Sequence, residues 1–204
     1  MWTKRILLFT LLAVAATAQA ARVILVFGDS LSVDYGMPQQ SGWVTLLEKR
    51  LAGDGYDYGI VNASVSGETT VGGKNRIERT VRRYRPEIVI VELGANDALR
   101  GARLSDIRRH LSAIIEVCQK YAAQVLLVGM RVPPNYRRDY SEGFHALFPE
   151  LARQHATALV PFMLDGFADQ RVLFQRDGFH PATKAQTLVL ENIYRDLKPL
   201  LSRR

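Results

Sequence analysis

Five short apolar runs, separated by stretches with helical spacing, constrain this chain more than any other feature. They are Val23-Ile24-Leu25-Val26-Phe27, Tyr58-Gly59-Ile60-Val61, Ile88-Val89-Ile90-Val91, Val125-Leu126-Leu127-Val128 and Ala158-Leu159-Val160. A half-exposed strand alternates apolar and polar side chains, whereas an unbroken β-branched run has no solvent face and belongs in a parallel sheet covered on both sides. Helical spacing places helices at about Gly42 to Leu51, Gly73 to Tyr84, Leu104 to Ala122, Ser141 to His155 and Thr183 to Leu197. Strand and helix alternate, so right-handed crossovers predict an α/β fold, a three-layer αβα sandwich around a five-stranded parallel sheet. The 204 residues suit one domain with a single core, and no repeat or low-complexity linker divides them.

Residues 1–20 stand outside that pattern. Lys4-Arg5 precede the apolar stretch Ile6 to Ala16, and Ala18-Gln19-Ala20 places small residues before Ala21, the arrangement of a cleaved secretory signal. The apolar core is shorter than the roughly 20 residues that a bilayer requires, and no later segment could span one. The expected destination is across the inner membrane, in the periplasm. Without Lys4 and Arg5 the net charge falls from +7 to +5. The surplus is scattered, as in Arg82-Arg83, Arg108-Arg109 and Arg137-Arg138, with no aromatic interleaving, so it reads as a solvated surface and nucleic acid is not an expected partner. Cys118 is the only cysteine and lies on the apolar stripe of a helix, which predicts a small buried group and excludes an intrachain disulfide.

In a parallel α/β sheet the loops that leave the strands converge on one edge, where ligands bind. Here those loops are Gly28 to Gln40, Asn62 to Gly73, Gly94 to Arg103, Arg131 to Tyr140 and Gln175 to Pro181. The first carries Ser30 in Gly28-Asp29-Ser30-Leu31-Ser32, and the last carries Asp177 and His180 in Asp177-Gly178-Phe179-His180-Pro181. A serine hydroxyl is a weak nucleophile until an imidazole takes its proton, and a carboxylate must hold that imidazole in the right tautomer. Asp177 and His180, three residues apart in a turn, suit those two roles. His110, His145 and His155 fall in helical patterns, and no H-E-x-x-H or C-x-x-C spacing points to zinc, so neither metal nor cofactor is expected. Acyl transfer also needs donors for a developing oxyanion. Gly67 could supply an unhindered N–H, Asn96 a side-chain amide, and Ser30 its own N–H. Asp29 and Asp97 adjoin these positions and are expected to bond their own turns.

The order of these blocks, Gly-Asp-Ser-Leu-Ser, a glycine after the second strand, Gly-x-Asn-Asp after the third and Asp-x-x-His near the C-terminus, resembles the SGNH (GDSL) hydrolases over essentially all of residues 21–204. Val61-Asn62-Ala63-Ser64-Val65-Ser66-Gly67-Glu68-Thr69, the segment Val91 to Gly101, and Arg131-Val132-Pro133-Pro134-Asn135-Tyr136 are most similar to the secreted bacterial arylesterase, acyl-CoA thioesterase and lysophospholipase group. The resemblance implies a flavodoxin-like SGNH hydrolase fold, Ser30, Asp177 and His180 as catalytic residues, and Ser30, Gly67 and Asn96 as the oxyanion hole. It further implies Leu99, with Arg131 and Pro133, as acyl contacts. The implied activity is that of a monomeric serine hydrolase acting on aryl esters, acyl thioesters and lysophospholipids. A carbohydrate acetyl esterase acting on polysaccharide or cell-wall glycan is the alternative, since the same three side chains do not define the leaving group. Two departures from the group are Ala95 where a glycine is common and the pair Gly72-Gly73 after the Gly67 loop, where a looser backbone is expected.

Overall fold

A computed structural model describes residues 22–133 and 135–203. The expected leader and its cleavage position lie outside them. The five strands form one parallel sheet in the order β2-β1-β3-β4-β5, with β1 at Arg22–Gly28, β2 at Tyr58–Asn62, β3 at Ile88–Glu92, β4 at Gln124–Val128 and β5 at Ala158–Val160. Ile24 to Phe27, Ile88 to Val91 and Leu126 to Val128 have no exposed surface, as unbroken apolar runs require. Helices α2 (Thr70–Tyr84), α4 (Leu104–Lys120) and α5 (Arg138–His155) pack against one another on one face, while α1 (Trp43–Gly53) and α6 (Gln186–Leu197) pack together on the other. This is the expected three-layer sandwich. The strand order reverses direction between β1 and β3, which opens a crevice at their carboxyl ends.

Four features differ from the sequence reading. Helix α2 starts at Thr70 and takes in both Gly72 and Gly73, so the glycine pair does not loosen the preceding loop. Thr69 caps the helix by accepting from the Gly72 N–H at 3.5 Å, and Gly73 packs where an added Cβ would lie 2.6 Å from a Leu93 methyl. Close packing of α2 on the sheet outweighs the roughly 1 kcal/mol that each glycine costs a helix. Helix α5 begins at Arg138, where an Arg138–Glu142 pair four residues apart extends it by most of a turn beyond Ser141. The segment after β3 holds a short helix, α3 (Ala95–Leu99), within an expected loop. Thr183–Ala185 forms a 3₁₀ turn ahead of α6.

Cys118 is fully buried, and burial pushes its thiol up to about 12. It behaves as a core apolar group. Among the described residues no helix is long and apolar enough to cross a membrane, and no cluster of three or more His, Cys, Asp or Glu could hold a metal ion.

Candidate active site

The turn after β1 is built around two buried carboxyls. Gly28 pairs with Glu92 across the sheet, and a Cβ on Gly28 would lie 2.6 Å from Glu92 Oε2, so a glycine is required for the Glu92 carboxyl to fit there. That same oxygen accepts from the Ser32 hydroxyl at 2.7 Å and from the Asp29 N–H at 3.2 Å, which ties the turn to β3. Asp29 Oδ1 accepts from the Leu31 N–H at 3.0 Å, the local bond expected of an aspartate in a turn. Its second oxygen makes a contact that sequence spacing does not reveal, accepting from the Asn96 side-chain amide at 2.8 Å.

Ser30 leaves this turn facing His180. The Ser30 hydroxyl and His180 Nε2 are 2.8 Å apart, and His180 Nδ1 lies 2.7 Å from Asp177 Oδ2. A carboxylate only accepts, so Nδ1 carries the proton and Nε2 is left free to accept from the serine. Asp177 Oδ1 takes the N–H groups of Phe179 at 2.9 Å and His180 at 3.1 Å. Partial burial works against the Asp177 anion, yet those two N–H groups and the imidazole outweigh it and hold the carboxyl below its ordinary range. The turn itself is clamped, because Phe174 and Pro181 form an antiparallel bridge and the Gln175 N–H donates to the His180 carbonyl at 2.8 Å. The Tyr35 ring lies against the imidazole, centroid to centroid 4.5 Å. Residues 150 positions apart therefore meet within one hydrogen-bonded chain.

Of the nominated oxyanion donors, Ser30 and Asn96 line the crevice, while Gly67 lies in the neighbouring loop after β2 and is not part of the cavity wall. Gly94 adopts φ of +118°, a left-handed conformation suited to glycine, and this reversal starts α3 so that Ala95 and Asn96 face the cavity. Ala95 is already helical there, and its methyl is no obstacle. Gly67 has φ of +75° in a loop whose Val65 N–H donates to the Gly28 carbonyl at 3.0 Å. Arg76 anchors that loop from α2 by pairing with Glu68, donating to the Ala63 carbonyl at 2.7 Å, and lying 3.9 Å above the Phe27 ring. Asp97 corrects the sequence reading, since it bonds another element. Its carboxylate takes both the N–H and the hydroxyl of Thr70 at 2.7 Å, joining α3 to the start of α2. His110 Nδ1 lies 3.1 Å from the same hydroxyl, whose proton is committed to Asp97. The other two histidines sit away from the site. His145 lies beside the Arg131 guanidinium at 3.3 Å, and His155 contacts the Ser112 hydroxyl at 2.6 Å.

A cavity of about 420 Å³ opens beside Ser30 and His180. Leu31, Leu99, Met130, Pro133, Phe162 and Phe179 supply much of its wall, and Arg131 lies at its edge with the guanidinium 4.7 Å above the Phe162 ring. All three residues expected to touch an acyl chain, Leu99, Arg131 and Pro133, line it. Sequence reasoning did not identify Phe162 or Met130, whose apolar character looks like core, nor Glu92, which follows an apolar run and carries no motif.

A serine hydroxyl, an imidazole and a carboxylate in line beside an apolar pocket form the arrangement that acyl-transfer hydrolysis requires. The sequence signature of the GDSL-like lipase/acylhydrolase family matches residues 26–188. Esterase TesA of Pseudomonas aeruginosa is 44% identical over 182 residues, spanning 89% of this chain and 90% of its own. Thioesterase 1/protease 1/lysophospholipase L1 of Escherichia coli is 35% identical over 185 residues, spanning 91% and 88%. A crystal structure of TesA superposes with a TM-score of 0.86 at 44% identity, covering 88% of this chain and all of that one. The chain belongs to the GDSL-like lipase/acylhydrolase (SGNH) family and is an enzyme of its esterase and thioesterase class.

Proposed function

We propose that this protein is an exported, monomeric serine hydrolase that cleaves small carboxylic esters and acyl thioesters, including aryl esters and lysophospholipids, through an acyl-enzyme on Ser30. The observation that carries this reading is the unbroken hydrogen-bond chain from Ser30 through His180 to Asp177 at the mouth of an apolar cavity. His180 takes the serine proton as Oγ attacks the carbonyl carbon, and the tetrahedral oxyanion turns toward the N–H groups of Ser30 and Gly67 and the Asn96 amide. Collapse of that intermediate breaks the ester or thioester bond, and His180 returns the proton to the departing alcohol or thiol. Water then attacks the acyl carbon by the same route and frees the acid. No cofactor enters these steps.

The apolar wall of Leu31, Leu99, Met130, Pro133 and Phe162 supports an acyl chain over an acetylated glycan, whose hydroxyls would be left without partners there. The leader-like residues 1–20 support export to the periplasm. The test is a panel of p-nitrophenyl esters and acyl-CoA thioesters of graded chain length, run with the parent and with Ser30→Ala. The parent is expected to turn over both classes and to be labelled by a fluorescent phosphonate, and Ser30→Ala to lose both properties. Full activity in Ser30→Ala would remove the mechanism, and a strict preference for acetylated sugars would move the substrate to glycans.

A further inference from the structure

Among the described residues, five of the seven exposed large apolar side chains lie in segments that leave the carboxyl ends of the strands. Tyr35, Val65, Leu99, Val172 and Phe179 are 36–71% exposed and lie in the segments that follow β1, β2, β3 and β5 at the carboxyl edge of the sheet, whereas Val71 and Leu188 lie on α2 and α6. Leu99 and Phe179 line the Ser30 cavity, the Tyr35 ring lies tilted against His180, Val65 sits in the Gly67 loop, and Val172 lies in the 3₁₀ turn Arg171–Leu173, whose Arg171 side chain lies beside Gly178. Exposed apolar groups scattered singly need no explanation, whereas a ring of them around one opening marks a contact surface.

The charges around that ring have the sign of a cation surface. Arg103, Arg137 and Arg138 pair with Asp106, Asp139 and Glu142. The four arginines nearer the opening direct their contacts elsewhere: Arg100 to the Gly67 carbonyl, Arg131 to His145 and the Phe162 face, Arg171 to the carbonyls of Gln175 and Arg176, and Arg176 into solvent. The four arginines outnumber the exposed carboxylates of the segment after β5, which are Asp165, Asp169 and the Asp177 that holds His180. The scattered pairs of basic residues in the sequence gave no sign of this grouping, because the fold assembles it from three separate loops.

We infer that the rim of the active-site cavity is a docking surface for an anionic lipid membrane, with Tyr35, Val65, Leu99, Val172 and Phe179 entering the headgroup region and Arg100, Arg131, Arg171 and Arg176 contacting lipid phosphates. A protein partner seated on this ring would cover the cavity, while a bilayer seated there presents acyl chains to it. Shallow apolar insertion together with several cations is the combination that holds a peripheral protein on an anionic surface. This inference rests on the reading that the cavity receives acyl substrates.

Sedimentation with sucrose-loaded vesicles tests it, using residues 21–204, which contain the whole described fold and lack the apolar leader stretch that would itself bind lipid. The Ser30→Ala background keeps the vesicles intact and makes binding independent of turnover. Vesicles of phosphatidylcholine with about 30 mol% phosphatidylglycerol are expected to carry down at least fivefold more protein than phosphatidylcholine alone, since each arginine near such a surface contributes about fivefold. Val172→Asp and Arg176→Glu, both outside the cavity, should each cut binding by about fivefold or more. Placed in the active enzyme, the same changes should leave hydrolysis of a soluble short-chain ester unaltered. No enrichment on anionic vesicles, or unchanged binding in both variants, overturns the docking surface even if the enzyme is fully active. Absence of esterase activity with vesicle binding intact would instead overturn the hydrolase reading.

Discussion

The Asn96 side-chain amide donates to Asp29 Oδ2 at 2.8 Å, so the residue preceding Ser30 fixes the orientation of the amide proposed to stabilise the oxyanion. The amide so held belongs to a residue that lines the cavity. Asp29 is 1% exposed, and burial pushes its carboxyl up to about 6 against the pull of the Leu31 N–H and the Asn96 amide. The anion that holds Asn96 is therefore lost under mildly acidic conditions.

Asp29→Ala should lower kcat about 10- to 100-fold with KM changed by less than about threefold, because the amide loses its anchor while the cavity is untouched. Asp29→Asn preserves an acceptor and should recover much of the loss. The pH profile separates the roles. Acidification through about 6 protonates Asp29 and removes the anion that holds the Asn96 amide, so the parent's kcat should fall through that range. Asp29→Asn cannot ionise there and should lose that part of the fall. An unchanged limb in that variant would show that Asp29 does not titrate there.

Asn96→Ala removes the donor itself and is expected to cost about 10²–10³ in kcat with little change in KM. Phosphonate labelling of Ser30 should persist at a reduced rate, checked by gel fluorescence. A variant slowed only through KM would make Asn96 a binding residue.

Glu92 is fully buried, and burial together with the neighbouring Asp29 charge raises its carboxyl well above the ordinary range. A raised carboxyl favours the protonated folded state, so its contribution to stability is complete below the ordinary carboxyl range and is lost as pH rises through the raised value. Glu92→Gln cannot ionise, and its carbonyl can still accept from Ser32 and Asp29. Thermal melting of this variant should depend less on pH between about 5 and 8.5 than that of the parent, with the gain in Tm largest at the alkaline end. Equal pH dependence in the two proteins would contradict this.

Phe162 is 8% exposed and forms one wall of the cavity. Phe162→Leu should shift the preferred acyl group to longer chains in the graded ester panel and cost about 1–2 kcal/mol of stability in urea unfolding. An unchanged chain-length profile would place the acyl group against another wall.

The parts of the fold that sequence conveyed are those governed by local pattern. Ile88 to Val91 could only be a covered strand, and Leu104 to Tyr121 could only be an amphipathic helix. Helix α3 was illegible because five residues are too few to show a period, and its start depends on the backbone reversal at Gly94. The Ser30, Asp177 and His180 set was legible through the order of its motifs, while the meeting of Asp29 with Asn96, 67 residues apart, left no trace in spacing. Glu92 was hidden for a different reason. An acidic residue at the end of an apolar run looks like the first exposed position after a strand, and only the pairing of Glu92 with Gly28 reveals the space made for it.

The clamp between Phe174 and Pro181 gives the fold a modular failure mode. Because acid and base ride on one tied-down turn, heat or denaturant that loosens this segment carries them off together with their mutual geometry preserved. Inactivation by that route would be a separation of Ser30 from an intact Asp177–His180 pair.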